Sequence, residues 1–486
     1  MGKERDLSER VASGVAWNIT EKVGSTLLQA IVSIIVANRI MPNEMGVIAV
    51  MTILVTLSQV VIDSGFSQTL IRKTDASEGD FKAVFRFNIW ASVLLYAILT
   101  ASAPLVASYY GWEKITSIAP VLYLLLPLNA LCVIQNTIMV KEFRFAELST
   151  IIFTSSLISS IIAIAMALTG FGIWSLVGQR VSMMAIKAML LWWKSSWRYR
   201  RDTDGSSLQE MTPYSLRLIA TDMITAIYNN IAQLFIGKMY SANMLGYYNQ
   251  AQKLKDMPVN ATMQSIQSVT FPALAKISDD DEKFKEGYRR VMMLTAFVMF
   301  PMMAGLIATA EDIFQLLLKP QWHPSVPYFQ ILSLVGLLYP ISAIAYNVLK
   351  VRSNGAIILR LEILKKVLMT IILAITIPIG VKAIAWGMVA AAACEMILNT
   401  GATTRYCKFT VTLFARTLLP IALLTVAMFF ATEFVGNYTI ELHVGLRLAI
   451  KIATGVATYS LGALLTRMEA LSEAVTIARR LLGKLL

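Results

Sequence analysis

The feature that most constrains this chain is a series of long apolar runs, each of about 20 residues, which is the length that a helix needs to span a bilayer. The chain has 486 residues, of which 56% are hydrophobic and only 15% are charged, and its mean hydropathy is +0.63. Soluble domains carry about 25% charged residues. The composition therefore predicts an all-α polytopic membrane protein and excludes a single water-facing globule.

The runs predict about fourteen transmembrane helices joined by short polar connections. The predicted spans are 12–38, 44–70, 84–109, 116–140, 147–169, 172–194, 213–237, 243–273, 288–310, 326–350, 360–380, 383–404, 411–433 and 443–465. Most of the 43 Lys and Arg residues fall in connections on one predicted side, and the other side holds only Arg39, Lys114, Lys238, Lys319 and Lys382. This bias predicts that both termini are cytoplasmic. The net charge of +13 thus indicates orientation and does not indicate nucleic-acid binding.

An internal repeat divides the predicted helices into two sets of six. Residues 41–46 read Met-Pro-Asn-Glu-Met-Gly, and residues 241–246 read Ser-Ala-Asn-Met-Leu-Gly. Each copy contains an even number of spans, so both copies face the same way, and the repeat is parallel about an axis along the membrane normal. Transporters built on such repeats bind substrate between the halves, near the midplane.

The repeat predicts the organisation of the whole chain. An N-lobe covers 1–194 (helices 1–6), a cytoplasmic linker covers 195–212, and a C-lobe covers 213–404 (helices 7–12). Helices 13 and 14 occupy 405–466 as an addition to the two lobes. Residues 467–486 are too short and too charged to span, and they predict a cytoplasmic amphipathic tail on the anionic leaflet. A frayed soluble tail is the alternative.

Polar side chains form stripes on single faces inside several spans, because they recur at spacings of three and four residues. The candidate cavity residues on these stripes are Asn18, Ser25, Gln29, Thr225, Asn229, Gln233, Asn249 and Asn260. Polar and charged groups are costly in hydrocarbon, so helices 1, 2, 7 and 8 are predicted to line a wet cavity between the halves. The alternative is that these side chains join helix to helix.

Several charged residues also lie within the predicted spans. The cations Lys22, Lys253, Lys255 and Arg180 suit an anionic substrate, since Lys and Arg bind phosphate through charge-assisted hydrogen bonds. The acids Glu21, Asp63, Asp222 and Asp256 either pair with these cations or carry a coupling proton or sodium ion. For each acid a structural ion pair is the alternative.

Patterns of catalysis and metal binding are missing from the sequence. It contains no G-x-x-x-x-G-K-[ST], H-E-x-x-H or G-x-S-x-G pattern, and its connections reach at most about twenty residues. The three cysteines follow no paired spacing, and the two histidines lie far apart. We therefore expect no enzyme, no metal site and no cofactor other than the coupling ion.

An ordered set of motifs resembles the Wzx-type polysaccharide flippases of the multidrug/oligosaccharidyl-lipid/polysaccharide (MOP) exporter superfamily, closest to the O-unit and colanic-acid type. The motifs are residues 14–17 with 21–24, the run 62–73, Leu245-Gly246-Tyr247-Tyr248-Asn249, residues 269–272 with 279–281, and Leu361-Glu362 with Lys365-Lys366. The resemblance extends over nearly the whole chain.

The resemblance implies a flippase of the bacterial inner membrane. Its substrate would be an undecaprenyl-pyrophosphate-linked oligosaccharide, moved to the periplasmic leaflet by an ion-coupled antiporter cycle for lipopolysaccharide or exopolysaccharide synthesis. Membrane lipids, a polysaccharide polymerase and glycosyltransferases would be its partners. The role of a cavity cation carries over to Lys22 and Lys253, whereas Lys255 is unusual for the family.

Two other functions fit the sequence. A drug exporter of the same superfamily would need a more acidic and aromatic cavity, because cationic drugs require opposite charge. A non-transporting scaffold of a polysaccharide assembly complex would not need charges on aligned faces in both repeats.

Overall fold

The computed structural model describes residues 24–26, 28–73, 75–199, 211–353, 355–407 and 409–482. Over these ranges the chain is helical and contains no β-strand. The described ranges contain nine helical segments that are long and apolar enough to cross a membrane, and one of these segments, Lys114–Lys141, contains a turn. The predicted fold class, an all-α polytopic membrane protein, is confirmed.

The helices follow the predicted spans and extend beyond most of them. In chain order they are α1 (Gly24–Ala37), α2 (Pro42–Arg72), α3 (Glu78–Tyr110), α4 (Lys114–Leu122), α5 (Leu125–Lys141), α6 (Phe145–Leu168), α7 (Trp174–Lys194), α8 (Thr212–Met239), α9 (Ala242–Lys276), α10 (Asp281–Ala308), α11 (Ala310–Leu317), a 3-10 helix (Pro320–Ser325), α12 (Val326–Arg352), α13 (Gly355–Thr376), α14 (Val381–Cys407), α15 (Val411–Tyr438), α16 (Val444–Leu465) and α17 (Glu469–Leu482).

One predicted span, 116–140, is divided into α4 and α5 by a turn at Tyr123 and Leu124. The physical cause is Pro127 near the start of α5. A proline ring clashes with the carbonyl four residues earlier and removes one hydrogen bond, so a continuous helix through Tyr123 is disfavoured. The predicted span itself is retained, because Lys114–Lys141 together are long and apolar enough to cross a membrane, and the turn within it was not predicted.

Local sequence determines where α3 begins and ends. Ser77 and Asp80 form a reciprocal cap, in which the Ser77 amide donates to Asp80 Oδ2 at 2.8 Å and the Asp80 amide donates to Ser77 Oγ at 3.2 Å. The helix ends at Gly111, whose φ of 72° is left-handed. The rings of Tyr110 and Trp112 lie 4.9 Å apart at this end, where membrane spans typically carry aromatic side chains.

The described residues form two compact units, one up to Asn249 and the other from Gln250 on. In the first unit α2 packs along α8 and α5, and α6 packs against α7. In the second unit α12 packs against α14 and α10, and α15 packs against α16. The predicted lobes at 1–194 and 213–404 were drawn from the sequence repeat, whereas these two units are defined by packing contacts. The two divisions use different criteria, so the predicted lobes stay a prediction.

The tail residues Glu469–Leu482 form α17, which ion pairs attach to the start of α10. Arg289 Nη1 donates to Glu469 Oε2 at 2.9 Å, and Arg290 Nη1 lies 3.7 Å from Glu473 Oε1. The hydrogen bond from Arg289 lowers the pKa of Glu469 below its ordinary value. These contacts orient the amphipathic helix relative to the second unit.

The beginnings of α2 and α9 approach each other closely at two glycines. A Cβ atom on Gly46 would lie 2.0 Å from the carbonyl oxygen of Ala242, and a Cβ atom on Gly246 would lie 1.9 Å from the carbonyl oxygen of Pro42. Both pairs correspond at the repeat offset of 200, so the contact is reciprocal. Backbones this close leave no space for a larger residue at either glycine.

We predict that Gly46→Ala and Gly246→Ala each lower the thermal unfolding midpoint of the purified protein in detergent. The added methyl group must push two helix backbones apart, and such overpacking costs about 1–3 kcal/mol. Gly401→Ala in α14 is the matched control, because a Cβ there meets nothing within 4 Å. If the three variants shared one midpoint, the close contact would be refuted.

Candidate substrate and ion pathway

Four helices are long enough to span but are too polar to belong to the nine apolar ones: α7, α8, α9 and α13. Lipid would surround their charged side chains at a cost of several kcal/mol each. Such helices must therefore direct these groups toward other helices or toward water. All four carry charged residues within their length, and three of them carry residues predicted for the site.

In the first unit, Asp63 of α2 is bonded to Asn129 of α5. Asn129 Nδ2 donates to Asp63 Oδ1 at 2.6 Å, and the Asn129 side chain is largely buried. Lys187 of α7 lies within electrostatic reach of Asp63. This predicted acid therefore has a neutral hydrogen-bond partner and a nearby cation on two different helices.

Arg180 is a half-buried cation of α7, about 9 Å along the helix from its first residue. Among the residues that the structure describes, its guanidinium has no hydrogen-bond or ion-pair partner. A desolvated cation without a partner is costly, so its presence favours a role in ligand binding over a structural one. Asp222 of α8 likewise has no ion pair within the described ranges.

The polar stripes of the first unit are partly brought together. Asn249 Nδ2 donates to Gln233 Oε1 at 3.0 Å, so these two predicted residues join α8 to α9. Ser25 is buried, whereas Gln29 of the same helix is exposed. Thr225 and Asn229 are exposed along α8. Because an exposed polar group within a membrane span has a lower free energy in water than in lipid, we expect these two side chains to face water.

In the second unit, the predicted cation Lys255 and the predicted acid Asp256 form an ion pair. The Lys255 Nζ atom lies 2.5 Å from Asp256 Oδ1, and the lysine is buried. Lys253 is half-buried and Asn260 is exposed, on the same helix α9. Lys255 is thus neutralised by its neighbour.

The structure adds a charged cluster that is not among the site residues predicted from the sequence. Lys365 of α13 pairs with Glu362 one turn before it and lies 3.6 Å from Glu395 of α14. Its ammonium group also lies 4.9 Å from the ring centroid of Tyr346 in α12. Tyr339 is within electrostatic reach of both Glu395 and Asp256, so the cluster extends toward the Lys255 pair.

Part of this cluster is predictable from the sequence. Glu362 precedes Lys365 by three residues in a spanning helix, and this spacing places both side chains on one helical face. Glu362 and Lys365 entered the sequence reading only as parts of a family motif. Lys365 lies about 15 Å along α13, near the middle of that helix. Lys350 also lies over the Tyr346 ring, with its Nζ atom 4.7 Å from the centroid, so the cluster contains two acids and two cations.

Three predicted site residues, Asn18, Glu21 and Lys22, lie outside the described residues, and their roles stay predictions. Cys132, Cys394 and Cys407 are free thiols. Within the described ranges no three His, Cys, Asp or Glu side chains come together as metal ligands.

The fold is that of solved transporters of the MOP superfamily. It is similar to the lipid II flippase MurJ in an inward closed conformation, with a TM-score of 0.69, 14% identity and coverage of 94% of this chain and 98% of that one. It is also similar to an inward-facing multidrug resistance transporter of the MATE family, with a TM-score of 0.58, 15% identity and coverage of 82% and 95%. These likenesses assign the fold, that of a polytopic all-α membrane protein.

A family model described as a polysaccharide biosynthesis protein matches residues 35–327, more than half of the chain. The chain belongs to this family. It is 24% identical over 335 residues to the teichuronic acid biosynthesis protein TuaB of Bacillus subtilis, covering 68% of this chain and 69% of the relative. It is 22% identical over 341 residues to the lipopolysaccharide biosynthesis protein WzxC of Escherichia coli, covering 68% of each. The resemblance drawn from the motifs is confirmed, and the protein is a polytopic membrane protein of a polysaccharide biosynthesis family.

Proposed function

We propose that this protein flips undecaprenyl-pyrophosphate-linked oligosaccharides across the bacterial inner membrane by alternating access. The family supplies the setting, since its members serve polysaccharide biosynthesis, and the flippase MurJ has the same fold. The single observation that carries the substrate class is the unpaired, half-buried Arg180 in a spanning helix. A pyrophosphate would supply the anion that this guanidinium lacks.

The cations of α7 and α9 support this substrate in a second way. Lys253 and Lys255 lie four and six residues after Asn249, the last residue of the first unit, and Lys255 is already paired with Asp256. The exposed amides and hydroxyls of α8 and α9 provide the donors and acceptors that sugars require.

The proposal is tested by flipping in proteoliposomes, with undecaprenyl pyrophosphate bearing one N-acetylhexosamine as the probe. We predict that Arg180→Gln, Lys253→Ala and Lys22→Ala each slow flipping about ten- to hundredfold, because a hydrogen bond to a charged group contributes about 1.5–3 kcal/mol. The rate is read from the loss of probe accessible to an impermeant sugar-modifying reagent.

Lys382→Ala is the control for these variants, because Lys382 is an exposed lysine near the start of α14 that the proposal leaves out of the substrate path. It should flip the probe at the wild-type rate. If Arg180→Gln and Lys253→Ala flipped the probe at the wild-type rate, the assignment of these residues to the substrate site would be refuted. A wild-type protein that does not move the probe at all would favour a non-transporting scaffold.

A drug exporter is the second candidate, favoured by the likeness to the multidrug resistance transporter. Its signature would be transport of a lipophilic cation such as ethidium by the same proteoliposomes. The unpaired Arg180 argues against it, because a cationic drug would be repelled. Transport of ethidium without flipping of the lipid probe would replace the flippase proposal with this one.

Ion coupling is a further part of the proposal, and Asp63 is the acid that best suits it. Its carboxylate is held by the neutral Asn129 amide at 2.6 Å and not by a direct ion pair. A carboxylate without a salt-bridge partner is free to bind and release a proton or sodium ion during the cycle. Asp256 is less suited, because Lys255 already neutralises it.

We predict that Asp63→Asn abolishes the acceleration of flipping by an imposed proton or sodium gradient and leaves the rate without a gradient within about twofold. The substitution removes the ionisable group but preserves a partner for Asn129. Flipping of the probe is measured with and without each gradient in turn. Asp256→Asn is the comparison variant and should retain the acceleration; a gradient response that survives in Asp63→Asn would contradict the role of this acid.

Orientation and partners belong to the same proposal. The excess of Lys and Arg on one side supports cytoplasmic termini, and the substrate would then move from the cytoplasmic to the periplasmic leaflet. Glycosyltransferases would supply the lipid-linked repeat unit, and a polysaccharide polymerase would consume it. The protein would itself catalyse no covalent step.

A further inference from the structure

The second unit contains an apolar cavity of about 570 Å³ between α10, α15 and the beginning of α17. Its walls are formed largely by apolar side chains, including Met293, Leu413, Ile421 and Leu424. Its volume falls within the range of about 300–1,000 Å³ that is usual for ligand pockets. Leu423, which also lines it, is 61% exposed, so the cavity opens on the lipid-facing side of α15.

An arginine without a partner stands in the wall of this cavity. Arg416 lines it and is exposed, and over the part of the chain that is described it has no ion pair or hydrogen bond. The other arginine of the wall, Arg289, is paired with both Glu286 and Glu469. The charge that remains available to a ligand is therefore that of Arg416.

A second exposed arginine, Arg467, lies in the turn between α16 and α17, beside the cavity. Thr466 and Met468 line the cavity on either side of Arg467 in the chain, and Arg467 is likewise without a side-chain partner within the described ranges. Its φ of 48° is left-handed, a conformation that glycine adopts at lower cost at helix ends. The turn thus carries a cation at a position where the backbone alone would favour glycine.

Both arginines belong to the same end of a helical hairpin. Arg416 lies about 8 Å along α15 from its first residue, and Arg467 follows the last residue of α16 by two positions. Since α15 and α16 pack against each other and are joined at their other ends, these positions lie at one membrane interface. The positive-inside bias assigns this interface to the cytoplasmic leaflet.

We propose that this cavity binds an anionic phospholipid of the cytoplasmic leaflet, with its phosphate on Arg416 and Arg467 and an acyl chain in the apolar cavity. The opening toward lipid and the apolar walls suit an acyl chain. Basic pockets between membrane helices on the cytoplasmic side suit anionic head groups. The bound lipid would attach α15, α16 and α17 to α10, and it goes beyond the transport substrate because neither arginine belongs to the proposed substrate path.

The test combines native mass spectrometry with thermal unfolding of the full-length protein in a non-ionic detergent. Dioleoyl phosphatidylglycerol is compared with dioleoyl phosphatidylcholine and with inorganic phosphate at equal phosphorus concentration. We predict that phosphatidylglycerol stays bound in the mass spectrum and raises the unfolding midpoint, whereas the other two do neither. Arg416→Gln and Arg467→Gln should each weaken phosphatidylglycerol binding about five- to tenfold.

Two further variants make the result specific. Arg405→Gln is the matched control, because Arg405 is an exposed arginine near the end of α14 that does not line the cavity, and it should bind the lipid as the wild type does. Leu423→Trp leaves both arginines in place and fills the opening, so it should lose the lipid and the thermal shift. Equal weakening by Arg405→Gln, equal stabilisation by phosphatidylcholine, or a shift produced by inorganic phosphate alone would overturn the proposal. The proposal would also be overturned if the purified protein were a dimer without bound lipid and Leu423→Trp converted it into a monomer.

Discussion

The cost of placing charge in hydrocarbon is the constraint on which the rest of this structure depends. Nine described helices are apolar enough for lipid, whereas α7, α8, α9 and α13 are not. A protein that keeps such helices must shield their polar faces or wet them. Part of the charge is shielded by pairing, as with Lys255 and Asp256, or by an amide, as with Asp63 and Asn129. Arg180 has no such compensation among the described residues, and this favours a ligand site there.

Close backbone packing complements this use of charge. Gly46 and Gly246 allow α2 and the beginning of α9 to touch with no intervening side chain, and the same two positions are equivalent in the sequence repeat. Helices that meet through small residues gain van der Waals contact in a setting where lipid provides no hydrophobic driving force. The reciprocal contact gives the repeat a physical meaning, because each copy supplies the same glycine to the other.

Local properties of the chain predict much of the fold. Hydropathy and the period of 3.6 residues locate the helices and the single-face stripes on α8 and α9, since both depend only on neighbouring residues. Pairings between distant residues are not predictable in this way. Asn129 meets Asp63, and Lys365 meets Glu395, only because separate helices pack together. Hydropathy did not predict the turn before α5, because it measures apolarity along the chain and does not register the steric effect of Pro127 on the preceding residues. Motif order, in contrast, gave the family correctly, since motifs keep their spacing when overall identity is low.

The central claim is that the polar stripes of α8 and α9 face water within the membrane. The most direct measurement is the reaction of single cysteines with a hydrophilic thiol reagent, in a protein whose three native cysteines are replaced by alanine. Cysteines at Thr225, Asn229 and Asn260 should react much faster than cysteines at Ile371 and Phe430, which are exposed apolar positions on α13 and α15. Addition of the lipid-linked probe should slow the stripe positions alone. If the stripe cysteines were as unreactive as the apolar ones, the stripes would face lipid or neighbouring helices, and the account of a polar pathway would be contradicted.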